Sequence, residues 1–457
     1  VRFMRPHQQS ETLRPHGLPW SWYLGGRASF LVLVAFLIGT ASGVRGDEAV
    51  QQTETGQAGA TIERDEPAEL TEFRQWLAIA VAERPQLGDQ PWAKRSLSRQ
   101  AAAVAKELLW QDYCTGQRMW ADGVIAAKQV SDGTHTMRFE SRVFGERPAA
   151  GHSLYLSLHG GGGAPTAVND GQWRNQQRLY ELREGIYVAP RAPTDTWNLW
   201  HQGHVDDLFR QIIRAYVITG QVDANRVYVM GYSAGGDGVY QIGPRMADSW
   251  AAAAMMAGHP NEASPLNLRN IGFSIHMGEL DKAYDRNNVA RRWGDELDRL
   301  QQQDQGGYSH ETVIHPGKGH WMDRQDKVAL EFLERHTRNP NPKRVVWRQD
   351  DVTRGRFYWL AVGAEDQREG RQIVVTVEGQ EIVLETENVT RVQLRLNDAL
   401  LDLDQPVTVR FAESQLFSNE VPRTLWMMEK SMNETGDPEL VWSAEIQIDI
   451  PPAPLRS

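Results

Sequence analysis

The sequence predicts an α/β fold: a mainly parallel sheet with helices on both faces, followed by a small C-terminal all-β domain, a sandwich or barrel. Three observations predict it. From about 137 to 339, short apolar runs alternate with helix-compatible stretches, the pattern of a parallel sheet joined by crossover helices. Beyond Pro340-Asn341-Pro342 the hydrophobic period changes to two, which argues for strands with turns between them. Inside the first region, Gly231-Tyr232-Ser233-Ala234-Gly235 joins the apolar run 226–230 to an Ala/Met-rich stretch. A G-x-S-x-G at a strand-to-helix turn is an elbow that lifts a serine hydroxyl out of the sheet.

Taken in order, the chain starts with a targeting pattern. Arg2, Arg5, Arg14 and Arg27 precede the apolar run 30–38, and small residues follow up to Gly46. Residues 1–46 therefore read as a secretory signal peptide, with an uncleaved membrane anchor as the alternative. Residues 47–65 are rich in Gln, Thr, Glu and Gly and read as a flexible linker. Residues 66–136 read as a helical region packed on the core, with a helical pattern from Pro67 to about Ala127, an apolar stripe at Leu70, Phe73, Leu77 and Ile79 and an Ala-rich helix over 101–109. Residues 137–143 alternate and predict an early strand. Within 137–339, strands are expected near 153–158, 185–189, 226–231, 251–257, 271–277 and 311–315. Helices are expected near 173–183, 204–218, 235–247, 286–303 and 325–336. Residues 340–457 carry period-two runs at 345–347, 357–360, 373–377, 381–385, 392–396, 407–411 and 444–450, with a hairpin turn over 378–380. This β-domain is read either as a glycan-contacting module or as a cover for an apolar face of the catalytic core.

The candidate chemistry lies in loops that follow strands, where the C-terminal edge of a parallel sheet gathers functional groups. Ser233 is the candidate nucleophile. After 271–277 comes Gly278-Glu279-Leu280-Asp281, and after 311–315 comes Pro316-Gly317-Lys318-Gly319-His320-Trp321. Asp281 is the candidate acid and His320 the candidate base, in the order Ser, Asp, His that accompanies such an elbow. Asp285 and Glu279 compete with Asp281, and His315 competes with His320. His159-Gly160-Gly161-Gly162-Gly163 ends another apolar run. Its glycines let backbone N–H groups face a cavity, so Gly161 and Gly162, with Ala234 after the serine, are candidate oxyanion donors. The 190–201 stretch should lie at the rim, where Trp197, Trp200 and His201 are candidate substrate contacts or a packed cluster; Asn169, Asp170 and Trp173 stand open to either role. His259 lacks partners at ligand spacing, so no metal and no cofactor is expected.

The run from His159 to about Glu334 resembles the α/β-hydrolase superfamily. Within it, 205–209 and the V-D-A-N-R-V-Y-V-M-G-Y-S-A-G-G of 222–236 are similar to secreted carboxylesterases, among them polyhydroxybutyrate depolymerases and feruloyl or acetylxylan esterases. Four glycines after His159 are closer to lipase and esterase types. The whole chain also resembles uncharacterised secreted bacterial hydrolases with an added C-terminal β-region. The resemblance implies an exported hydrolase that takes an ester substrate through an acyl-serine. A serine peptidase of the same fold and a surface glycan-binding protein are the alternatives.

Composition fits these readings. The chain has 457 residues, enough for two substantial cores, and a net charge of −10 without a basic stripe, which sets nucleic-acid binding aside. Cys114 is the single cysteine, so no internal disulfide can form, and it is expected to be a buried thiol.

Overall fold

The computed structural model describes residues 67–451, and the expected signal peptide and linker lie outside the described residues. Helix α1 spans Thr71–Leu77 and α2 Arg99–Ala127. Then follow β1 (Gln129–Ser131), β2 (Thr136–Phe144), β3 (His152–Leu158), α3 (Thr166–Gln176), β4 (Gly185–Pro190), α4 (Gly203–Ile218), β5 (Val222–Tyr232), α5 (Ala234–Arg245), β6 (Ala252–Met256), β7 (Gly272–Gly278), α6 (Arg286–Gln303), β8 (His310–His315) and α7 (Ala329–Glu334). The strands form one sheet in the order β1-β2-β4-β3-β5-β6-β7-β8. β1, β2 and β4 pair antiparallel, and every neighbouring pair from β4 to β8 is parallel. This is the α/β-hydrolase fold. β3, β4, β6 and β7 are buried along their whole length, which is why their sequences read as continuous apolar runs.

Two helices differ from expectation. The Ala-rich helix runs on to Ala127, capped by Ser98, whose hydroxyl accepts the Ala101 N–H, and closed by Lys128 in the left-handed region. Gly116, Gly123 and many polar residues blur its period, but it packs against α4 and the C-terminal helix described below. α3 begins at Thr166 rather than near 173, with Pro165 at its N-cap, whose carbonyl accepts the Val168 N–H at 2.8 Å and the Asn169 N–H at 3.2 Å. Its C-terminal half was expected to reach 183; instead Tyr180 and Leu182 are buried from a loop.

The C-terminal region contains β9 (Arg344–Arg348), β10 (Arg356–Phe357), β11 (Leu360–Ala361), β12 (Gln372–Glu378), β13 (Glu381–Glu387), β14 (Arg391–Leu396), β15 (Val407–Phe411), β16 (Ser414–Asn419), α8 (Leu425–Thr435) and β17 (Ala444–Asp449). They make a five-stranded sheet, β16-β15-β13-β12-β9, and a four-stranded sheet, β10-β11-β14-β17. β12 and β13 meet in a hairpin whose Glu378↔Glu381 pair encloses Gly379, at φ 60°, and Gln380. β16 and α8 are absent from the sequence reading. α8 is nevertheless a capped helix: the Thr424 hydroxyl accepts the Met427 N–H, and Gly436 ends it in the left-handed region.

The packing joins these parts. One buried cluster runs from the main sheet, through Trp200 and Trp250, to Trp347, Leu394 and Trp442 of the β-region. A second joins Leu70, Phe73 and Leu109 to Leu425, Met428 and Met432 of α8, so the N-terminal helices close on the C-terminal region as well as on α4. Cys114 is half-buried on α2, and burial pushes its thiol up to about 11.

Beneath the elbow helix sits a buried ion cluster. Asp206 of α4, fully buried, accepts from Arg245 Nε at 2.8 Å and Nη2 at 2.6 Å, and also pairs with Arg354 of the β-region. Burial alone would raise its carboxyl, yet the two guanidinium groups hold it below the usual range. Its stabilising charge is present above the unfolded carboxylate value of about 4 and is lost as pH falls through the depressed folded value. Asp206→Asn should cost about 3–5 kcal/mol, because the buried Arg245 loses its carboxylate partner and Arg354 keeps only the exposed Asp207. Urea unfolding at pH 7 measures this, and the gap between the variant and the parent protein should shrink in acid.

Candidate active site

Ser233 sits at the end of β5, as the first residue of the turn into α5, with φ 58° and ψ −123°. A side chain in the left-handed half of φ is strained and persists only where its surroundings fix it. The surroundings here are backbone. A Cβ at Gly231 would lie 2.2 Å from Gly235 O, and one at Gly235 would lie 2.1 Å from Leu158 O. Ser233 N–H donates to Met256 O at 2.9 Å, which ties the turn to β6. Only glycines permit these crossings, so the pentapeptide is dictated by packing as well as by chemistry.

His320 stands over the serine. Its Nε2 is 2.9 Å from Ser233 Oγ and its Nδ1 is 2.7 Å from Asp281 Oδ2. With Asp281 ionised, Nδ1–H donates to the carboxylate, leaving Nε2 to accept the serine proton. Asp281 is 3% exposed. The competitors are engaged elsewhere. Asp285 accepts from Asn288 and Arg292, Glu279 Oε2 accepts the Gly317 N–H, and the buried His315 meets His276 at 3.2 Å.

The loops carrying Asp281 and His320 are laced together. Leu280 N–H donates to Lys318 O at 2.7 Å and Glu279 N–H to His315 O at 3.1 Å. A Cβ at Gly278 would lie 2.0 Å from Gly319 O. Tyr232, next to the serine, was missed in the sequence reading. Its hydroxyl donates to His320 O at 2.7 Å and accepts the Met322 N–H at 3.0 Å, so the residue before Ser233 holds the loop of His320.

The oxyanion loop departs from expectation at one glycine. Gly162 N–H is already spent on Asn169 Oδ1, at 2.9 Å. Gly162 is therefore corrected from a donor to a tethered link, and Gly161 and Ala234 remain as the candidate donors. Asn169 is a buried strut that also donates to Ala164 O and Asp195. A Cβ at Gly161 would come within 2.3 Å of its Oδ1. Asp170 pairs with Arg191, and the Trp173 indole donates to Ala189 O. His159 is buried and its tautomer is set by its partners: Nδ1–H donates to Gly160 O and Nε2 accepts the Ala192 N–H. Burial pushes it down to about 4, so it stays neutral.

The three expected rim residues separate. Trp197 is 66% exposed beside Gly162 and Gly163. Trp200 has no exposed surface; its indole donates to His159 O at 2.9 Å and its Cβ side presses on Gly238. His201 is 6% exposed, its ring edge-on to Trp197 at 5.4 Å. Trp200 and His201 are thus supports of the rim rather than open contacts. The sequence cannot separate them because all three share one loop and differ only in which way they point. Trp321, which the sequence reading passed over, is half exposed next to His320.

Asp237, one turn into α5, adds a titratable group near His320. Burial pushes its carboxyl up to about 6, although the His259 N–H donates to Oδ1 at 2.6 Å. A raised carboxyl favours the folded state below the unfolded value of about 4 and loses that advantage as pH rises through about 6. Asp237→Asn keeps the acceptor for His259 and removes the charge. Its Tm relative to the parent protein should rise between pH 4.5 and pH 8; a constant difference would contradict the assignment. Tyr232→Phe removes both loop hydrogen bonds and should cost about 1–3 kcal/mol in urea unfolding, with kcat falling more than KM rises.

No protein-family model matches the sequence, and no curated protein matches it. Among solved structures the chain is similar to a thermostable esterase, at 19% identity and TM-score 0.36, over 46% of this chain and 62% of that one. It is similar to a Bacteroides ovatus protein provisionally named as a dipeptidyl aminopeptidase IV, at 14% identity and TM-score 0.35, over 46% and 35%. It is also similar to the acetyl xylan esterase from Aspergillus awamori, at 14% identity and TM-score 0.33, over 45% and 98%. The chain spans less than two thirds of the first two. Strand order and the elbow define the fold independently of these distant neighbours.

Proposed function

We propose that this protein is a serine hydrolase that cleaves carboxylic esters through an acyl-enzyme on Ser233. One observation carries the reading: the hydrogen-bonded chain Ser233–His320–Asp281, at 2.9 and 2.7 Å. In this reading Ser233 Oγ bonds to the ester carbonyl carbon while His320 Nε2 takes its proton. The carbonyl π pair moves to oxygen, where Gly161 and Ala234 N–H groups donate to the oxyanion; losing one such donor costs about 10²–10³ in kcat. Collapse breaks the bond to the alcohol oxygen, which receives the proton from His320. Water then attacks the acyl-serine, with His320 again as base. Asp281 holds the imidazole in the required tautomer and stabilises the imidazolium. Serine, imidazole and backbone donors supply each step of this route.

Amides are the competing substrate class, because the same triad cleaves them. A panel of short-chain, long-chain and aromatic esters beside peptide amides decides between the two. Ester turnover should appear and fall about 10³-fold or more in Ser233→Ala. Turnover of amides alone would replace the ester reading with a peptidase. Asp281→Asn should lower kcat about 10⁴-fold, while Asp285→Asn should stay within about twofold. A large loss in the second variant would move the acid role to Asp285.

A further inference from the structure

Among the described residues, every exposed large aromatic lies on the loops that frame Ser233: Trp197, Tyr284 and Trp321. Leu280, beside Asp281, is exposed with them. Apolar rings are commonly buried, so their confinement to one rim marks a contact surface. Trp321 directly follows His320. One side of its ring rests on Tyr232, with centroids 5.6 Å apart, and half of its surface is open. Trp197 stands against the glycine loop, with its Cβ 3.5 Å from where a Cβ on Gly163 would lie.

The chemistry of the ester reading orients a substrate at Ser233. The carbonyl oxygen must face the Gly161 and Ala234 N–H groups. The departing oxygen must lie within hydrogen-bond reach of His320 Nε2, the atom that returns the proton to it. Whatever that oxygen carries then passes the residue beside His320. We propose that Trp321 is the contact for the departing alcohol, and that the site selects esters whose alcohol bears a ring close to the ester oxygen, with the ring face lying on the indole. This rests on the ester reading above. An aromatic ring and a sugar ring both offer such a face.

The test uses three acetates with purified full-length protein: methyl acetate, benzyl acetate and a methyl glucoside acetylated at its primary hydroxyl. All three pass through the same acetyl-enzyme, so differences in kcat/KM report only acylation, where the alcohol is still attached. The readout is kcat/KM for each ring ester divided by that for methyl acetate, a ratio that does not depend on how much of a variant is folded. Trp321→Ala should lower this ratio about tenfold for at least one ring ester, and Trp321→Phe should restore most of it. Which ester responds tells an aromatic alcohol from a sugar. Trp197→Ala should leave the ratio within about twofold. A proportional loss on all three esters in Trp321→Ala, or an equal shift of the ratio in Trp197→Ala, overturns the proposal while the ester reading stands. Absence of any Ser233-dependent ester turnover by the parent protein removes both.

Discussion

The site depends on one backbone constraint: the chain must turn at Ser233 in the left-handed half of φ, with β3, β5 and β6 all closing on that turn. Strain of this kind costs about 1–3 kcal/mol and is retained only when neighbours leave no alternative. Gly231, Gly235 and Gly236 provide that enclosure, since a Cβ on any of them would fall within 2.5 Å of a backbone atom. The buried parallel strands hold the enclosing carbonyls in register. A serine placed this way needs no search for its conformation, and its hydroxyl meets His320 Nε2 without rearrangement.

The other loops are fixed to this turn by local ties rather than by independent stability. Tyr232 reaches from the elbow to the loop of His320, and Leu280 bonds that loop to the acid loop. On the far side, Trp200 donates to His159 O and Asn169 takes the Gly162 N–H. Each tie spends one polar group to remove loop freedom, which is the entropy that an unpositioned catalytic group would otherwise have to lose during reaction. The neutral His159 belongs to the same scheme. A buried imidazolium beneath the oxyanion loop would cost solvation, and its Nε2 would stop accepting from Ala192.

What was legible in the sequence follows from which forces write a pattern. Buried strands leave continuous apolar runs, and strand-end loops in a parallel sheet must share one edge, so Ser233, Asp281 and His320 were placed together by order alone. Gly161 and Gly162 look alike as letters. Only the side chain of Asn169, folded back from α3, distinguishes them, and no periodicity encodes that. Trp197 and Trp200 differ in the same way: one is turned outward and the other inward over Gly238. α8 was readable through Thr424 and Gly436, but the period-two runs on both sides of it suggested uninterrupted strands. The helical pattern up to about 127 was legible, but Gly116 and Gly123 weaken the period that would join it into the single helix α2, and packing against α4 and α8 supplies what propensity lacks.

The β-region bears on the site through the rim. Val352 lies 3.1 Å from where a Cβ on Gly203 would stand, and Arg354 pairs with Asp206 and Asp207 in the first turn of α4. Gly203 closely follows Trp200 and His201, and Arg245 both grips Asp206 and donates to His201 O. The segment that supports the oxyanion loop is therefore anchored from below by a residue of the β-region. Removing that region would strand Asp206 with one cation fewer and expose the cluster that runs from Trp250 to Trp442. Loss of glycan retention after such a deletion would then report unfolding as readily as a missing binding surface. Point changes on the exposed faces of β13 and β16, which leave Arg354 and the shared core in place, separate a binding role from a supporting one.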